Sequence, residues 1–86
     1  MPRISYFYGI IIKMYFGDHN PPHFHAEYAE YSAKIGIKDF ALQEGYLPAK
    51  AMTLVIEWAM LHQEELLLNW KLMINEKPMN PIEPLK

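Results

Sequence analysis

The chain has 86 residues, no cysteine and a net charge of −2, and 51% of it is hydrophobic. That length admits one domain, burying about 60–65% of its unfolded surface, and the missing cysteines exclude disulfides, Cys-ligated zinc and thiol catalysis. Eight Lys and Arg scattered along the sequence form no basic patch, so a dedicated nucleic-acid binder is not indicated; nor does any run of about 18 apolar residues suggest a membrane span.

The apolar start is interrupted by Arg3 and Lys13 and no small-residue cleavage site follows, unlike a signal peptide. Together with the lack of cysteine, this gives a cytoplasmic setting as the expectation. Residues 4–16 are loaded with β-branched and aromatic side chains, and the run is too continuously apolar for a half-exposed strand. It reads as a central strand buried on both faces, with Gly9 marking a bulge or bend. Gly17 to Pro22 is a turn, since Gly, Asp and Asn supply unusual dihedrals and Pro-Pro forbids a helix.

After the prolines the chain alternates. His23, His25 and Glu27 point one way, while Phe24, Ala26 and Tyr28 point to the core. A turn or bulge at Ala29-Glu30 leads to a strand with Tyr31, Ala33, Ile35 and Ile37 inward, and a short strand from Ala41 to Glu44 ends at Gly45. Leu47-Pro48 opens a helix with Pro at its first position. Met52, Val55, Ile56 and Ala59 form its apolar stripe, continued by Leu66, Leu67, Trp70 and Met73. The polar insertion at His62-Gln63-Glu64-Glu65 leaves two alternatives, one straight helix or a break near 61–63. Asn75-Glu76-Lys77-Pro78 stops it. Pro78, Pro81 and Pro84 keep the end extended, with Ile82 and Leu85 apolar enough to dock on the domain or a partner.

Strands followed by helix predict an α+β domain over 1–77, with a Pro-rich extended tail over 78–86. The antiparallel sheet has three to four strands, and the C-terminal helix, whole or kinked into two, covers one face. The rich apolar and aromatic content suits both a dense core and a homo-oligomer interface.

Three of the four histidines fall within Asp18-His19-Asn20-Pro21-Pro22-His23-Phe24-His25. Residues two apart on a strand share a side, so His23 and His25 can converge on one ion, with Glu27 next in the row. Two imidazoles and a carboxylate suit a divalent transition metal with open positions, and Asp18 or His19 can complete or orient the set. A metal-free version uses His19, His23 or His25 as general acid and base. The opposing interpretation is structural: turn residues, a stiffened strand entry, and histidines that stack on aromatics or cap carbonyls. His62 reads as a hydrogen-bonded histidine at the core edge. Trp58 and Trp70 read as packing anchors, and some of the six tyrosines as interface residues.

The opening Met1-Pro2-Arg3-Ile4-Ser5, the Asp18 to His25 run, Leu47-Pro48, Glu57-Trp58, Asn69-Trp70 and Ile82-Glu83-Pro84-Leu85 resemble the bacterial domain-of-unknown-function 4160 family. The resemblance runs essentially end to end. It implies a small bacterial protein, encoded beside another small domain in a toxin–antitoxin-like pair, and it brings no assigned catalytic residues. Three functions compete on these grounds. The first is an interaction module binding a small protein from a neighbouring gene. The second is a histidine-dependent hydrolase or ribonuclease, with or without metal. The third is a metal-binding regulator without catalysis.

Overall fold

The apolar run at the start of the chain makes two strands rather than one. The structure, a computed structural model, describes residues 3–86. Strand β1 (Arg3–Phe7) reverses at Tyr8-Gly9 into β2 (Ile10–Lys13), with Phe7 opposite Ile10. Tyr8 and Gly9 both have positive φ, 50° and 80°. Two successive left-handed residues give the tight hairpin whose twist matches that of the strands it joins. The expected bend at Gly9 is therefore a full reversal. Tyr8 hides it, because a tyrosine in the left-handed region is uncommon.

The chain then meanders through β3 (His23–Tyr28), β4 (Tyr31–Gly36) and β5 (Leu42–Gly45). Neighbours in sequence are neighbours in one antiparallel five-stranded sheet, so the expected three to four strands become five. The central strand is β3, not the first run, which instead supplies one edge of the sheet and its neighbour. At Gly45 the chain lies tightly beside β4: an added Cβ would collide with the Ser32 carbonyl oxygen, and φ is +87°. Only glycine satisfies both conditions.

Two helices, α1 (Ala49–Leu61) and α2 (Gln63–Ile74), follow the sheet. The break falls at His62, inside the window that the polar insertion marked, where φ −123° and ψ 25° leave the helical range. Gln63 opens α2 and donates its side-chain amide to the carbonyls of Ile37 (2.9 Å) and Lys38 (3.2 Å). The His62 ring bonds Glu65 and lies 5.5 Å from the Trp58 ring, as suits a histidine at the core edge. Pro48 sits one position before the helix rather than at its first residue.

Trp58 anchors the core. It is wholly buried, packs on Phe7 (5.4 Å) and Phe24 (5.9 Å), and donates its indole N–H to the Glu83 carbonyl at 2.8 Å. Ile82, 4% exposed, docks into the same core, and its N–H bonds the Ile4 carbonyl on edge strand β1. Asn69 completes the strap. Its amide donates to the Asn80 carbonyl and its Oδ1 accepts the Asn80 N–H, both at 2.8 Å. A fully buried amide with matched partners stabilises; the same groups left unmatched cost the desolvation of each.

Replacement Asn69→Ala is expected to cost about 1–3 kcal/mol, because it orphans two backbone groups of Asn80. Urea unfolding measures the loss, and amide exchange at Ile82 reports whether the strap opens before the sheet does. Unchanged stability would mean that the two Asn69–Asn80 bonds contribute nothing to the fold.

Candidate functional site

Alternation along β3 sends Phe24 and Ala26, both wholly buried, into the core and puts His23, His25 and Glu27 on the opposite side. Sequence reading places these residues correctly. It does not foresee that His23, though on the outer side, is only 3% exposed. The cause is Trp70, in α2, whose ring lies 5.1 Å from the His23 ring. The Trp70 indole N–H also donates to the Asn20 side-chain oxygen at 3.3 Å, tying the turn to the helix. Fifty residues separate the two, so no local sequence pattern marks Trp70 as part of the site.

The turn after β2 doubles back through Gly17, whose φ of +89° is the left-handed backbone glycine favours. It returns Asp18 over the start of β3. There a single oxygen, Asp18 Oδ2, lies 3.1 Å from His23 Nε2 and 3.2 Å from His25 Nε2. The three potential ligand atoms all lie within 4.8 Å of one another. Metal–ligand distances of about 2.0–2.1 Å at tetrahedral or octahedral angles imply ligand–ligand separations of roughly 3.0–3.4 Å. Two of the three edges are already at that length, and the third is no longer than 4.8 Å.

Hydrogen-bond arithmetic at His23 is more telling than distance. Its Nδ1 lies 2.9 Å from the Pro21 carbonyl oxygen, which can only accept, so Nδ1 carries the proton. In neutral imidazole, Nε2 is then a bare lone pair, and it faces a carboxylate oxygen. Two acceptors at 3.1 Å repel unless a proton or a cation stands between them. The same oxygen faces the His25 ring as well. A ring nitrogen donating to a backbone carbonyl while its other nitrogen points at further ligands is the usual posture of a metal-binding histidine.

Of the five residues singled out from sequence, the fold brings together Asp18, His23 and His25 and leaves out the other two. Glu27 lies farther along the row. Its two oxygens take Lys13 Nζ at 3.0 and 3.1 Å, and the Tyr15 hydroxyl is 3.5 Å away. His19 is exposed and lines a neighbouring surface cleft. Tyr15 instead packs edge-on against the His25 ring at 4.7 Å, as Trp70 packs on the His23 ring. Among the described residues this is the one cluster of its kind.

Facing acceptors make a specific expectation for the metal-free protein. Asn at position 18 offers an N–H₂ where Asp18 offers only oxygen, so Asp18→Asn is expected to leave stability unchanged or raise it by about 0.5–1.5 kcal/mol. Urea unfolding in chelator at neutral pH reads this out. A loss above about 1 kcal/mol would mean that Asp18 already pairs with a doubly protonated ring.

No curated protein and no solved structure matches the chain. A family model does, described as Domain of unknown function (DUF4160), and the match covers residues 9–71. That span holds the whole constellation, from Tyr15 and Asp18 through His23 and His25 to Trp70. The chain belongs to the DUF4160 family.

Proposed function

We propose that this domain binds one divalent first-row transition metal through Asp18, His23 and His25 and serves as a metal-assisted hydrolase. The observation that carries this reading is the confrontation at Asp18 Oδ2: one carboxylate oxygen faces two imidazole nitrogens while His23 Nδ1 is committed to Pro21. A cation between them turns the facing acceptors at His23 into ligand bonds, and takes His25 Nε2 in place of the N–H that this ring can donate to the same oxygen. Two imidazoles with one carboxylate form a borderline-soft set that suits zinc, iron, cobalt or nickel better than calcium or magnesium. Three protein ligands leave positions open for water and substrate, and an ion held this way supplies Lewis acidity and an activated water. In this reading His19 is the remaining candidate for acid–base work, since His23 and His25 are occupied by the ion.

Calorimetric titration with Co²⁺ is expected to show one equivalent bound. Binding is lost in Asp18→Ala, His23→Ala and His25→Ala and kept in Glu27→Gln. Free ion at about 100 times its Kd should stabilise the fold by roughly 2.7 kcal/mol. Trp70 packs on His23, so bound Co²⁺ should quench its fluorescence, and Trp70→Phe should remove that signal without removing the heat. A protein that takes up no ion at neutral pH would overturn this function.

A second reading has its own support. Met60 and Leu61 at the end of α1 are 64% and 68% exposed, and Tyr8 and Tyr46 are each 59% exposed. Such side chains suit an interaction module in a bacterial, cytoplasmic, toxin–antitoxin-like pair, with the small protein of an adjacent gene as partner. No helix among the described residues is long and apolar enough to cross a membrane. Co-expression with that gene product should give a complex that Leu61→Asp weakens at least tenfold if α1 forms the contact; two proteins that never co-purify would remove this reading.

A further inference from the structure

Next to Asp18 runs a surface cleft of about 650 Å³. Asp18 belongs to both the ligand set and the cleft wall, and His23 and His25 do not line the cleft. The rest of the wall divides by chemistry. Phe16, Met73 and Ile74 form an apolar stretch, while His19 and Glu76 contribute polar groups. Met73 is buried, but Phe16 and Ile74 are each 52% exposed, one from the turn after β2 and the other from the end of α2. Gly17 keeps the wall between Phe16 and Asp18 low: a Cβ there would meet nothing within 4 Å. Large apolar side chains left in water on two separate elements, facing one cleft beside a ligand set, are the composition of a small-molecule site. Such sites are mostly apolar with a few placed polar groups, at volumes of about 300–1,000 Å³.

We infer that this cleft is where the ion's further ligand sits: a small molecule carrying an oxygen donor for the open coordination positions and, next to it, a compact apolar group held between Phe16 and Ile74. This rests on the metal reading and adds the substrate class to it. Charge narrows the donor. A divalent ion with one carboxylate and two neutral imidazoles is net positive by one, and Glu76 across the cleft returns one negative charge. The balance suits a neutral or singly charged donor better than a dianion such as a phosphate monoester. His19, the one histidine of the run outside the ligand set, is placed to hydrogen-bond the polar end of that ligand.

Two hydroxamates separate the cleft from the ion. Acetohydroxamate and benzohydroxamate present the same metal-binding group, and only the second adds a ring. The test titrates each into the Co²⁺-loaded full chain, following the cobalt absorption band, with native mass spectrometry to verify that the ion stays bound. Benzohydroxamate is expected to bind about tenfold more tightly or better, as burial of the extra apolar surface requires. In Phe16→Ser and Ile74→Ser, both at half-exposed positions, that advantage should fall to about twofold or less, with Co²⁺ and acetohydroxamate affinities unchanged. Equal affinities in the parent protein, or an advantage that survives both substitutions, would overturn the inference. If the ion binds and neither hydroxamate does, the inference fails while the metal reading stands. If the ion itself does not bind, both fail together.

Discussion

Strand β3 carries two obligations that cannot be separated. Its side chains alternate strictly, so the register that buries Phe24 and Ala26 against the helices is the same register that turns His23 and His25 towards Asp18. A slip by one residue would put imidazoles into the core and Phe24 into water. The register is held on both flanks, with His25 opposite Lys13 on β2 and opposite Lys34 on β4. A further bond from the Ile37 N–H to the Pro22 carbonyl fixes the strand's entry. The two histidines and the core face therefore stand or fall as one arrangement, while Asp18 comes to them from the turn.

Against that background the cluster is a local inconsistency. Elsewhere interior polar groups find partners: Asn69 both backbone groups of Asn80, the half-buried Gln63 two loop carbonyls, Trp58 the Glu83 carbonyl. The exception is Ser5 Oγ on edge strand β1, buried and without a partner among the described residues. At Asp18 the mismatch is of another kind, because with a neutral His23 ring two acceptors are held face to face by a turn, a strand and a helix that are each satisfied in themselves. Sequences agree across levels except where function imposes a conflict, and a conflict held in place from three directions fits that pattern.

Much of this was legible in the residues. Alternation at His23 to Tyr28 placed the histidines and the core face correctly, since a period of two needs only local reading. Glu64 and Glu65 behind a polar insertion marked the helix break, and the prolines marked the strap. The differences have two causes, one local and one tertiary. The hairpin at Tyr8-Gly9 leaves no mark in the residues because Tyr8 gives no sign of its left-handed backbone, and with it go a strand and the centre of the sheet. Glu27 looked like a ligand by spacing, yet Lys13 on the next strand claims it. Trp70 looked like a simple anchor, and its place over His23 depends on how α2 lies across the sheet. Cross-strand and helix-to-turn partners are set by tertiary packing, which single-sequence patterns do not contain.

The strap formed by residues 80–83 has a bearing on the order in which the molecule can be made. Three distant groups, the Ile4 carbonyl, the Trp58 indole and the Asn69 amide, take their partners from those residues. On the ribosome the sheet and α1 emerge first, and nearest-neighbour strand pairing lets the meander begin as each strand appears. The Ile4 carbonyl on edge strand β1 and the pocket for Ile82 nonetheless wait until that late segment is released. Until residues 80–83 emerge the nascent domain thus presents an uncovered edge and an unfilled core position, the features that holdase chaperones and neighbouring nascent strands engage. One short segment, made after the sheet and both helices, then supplies all three partners.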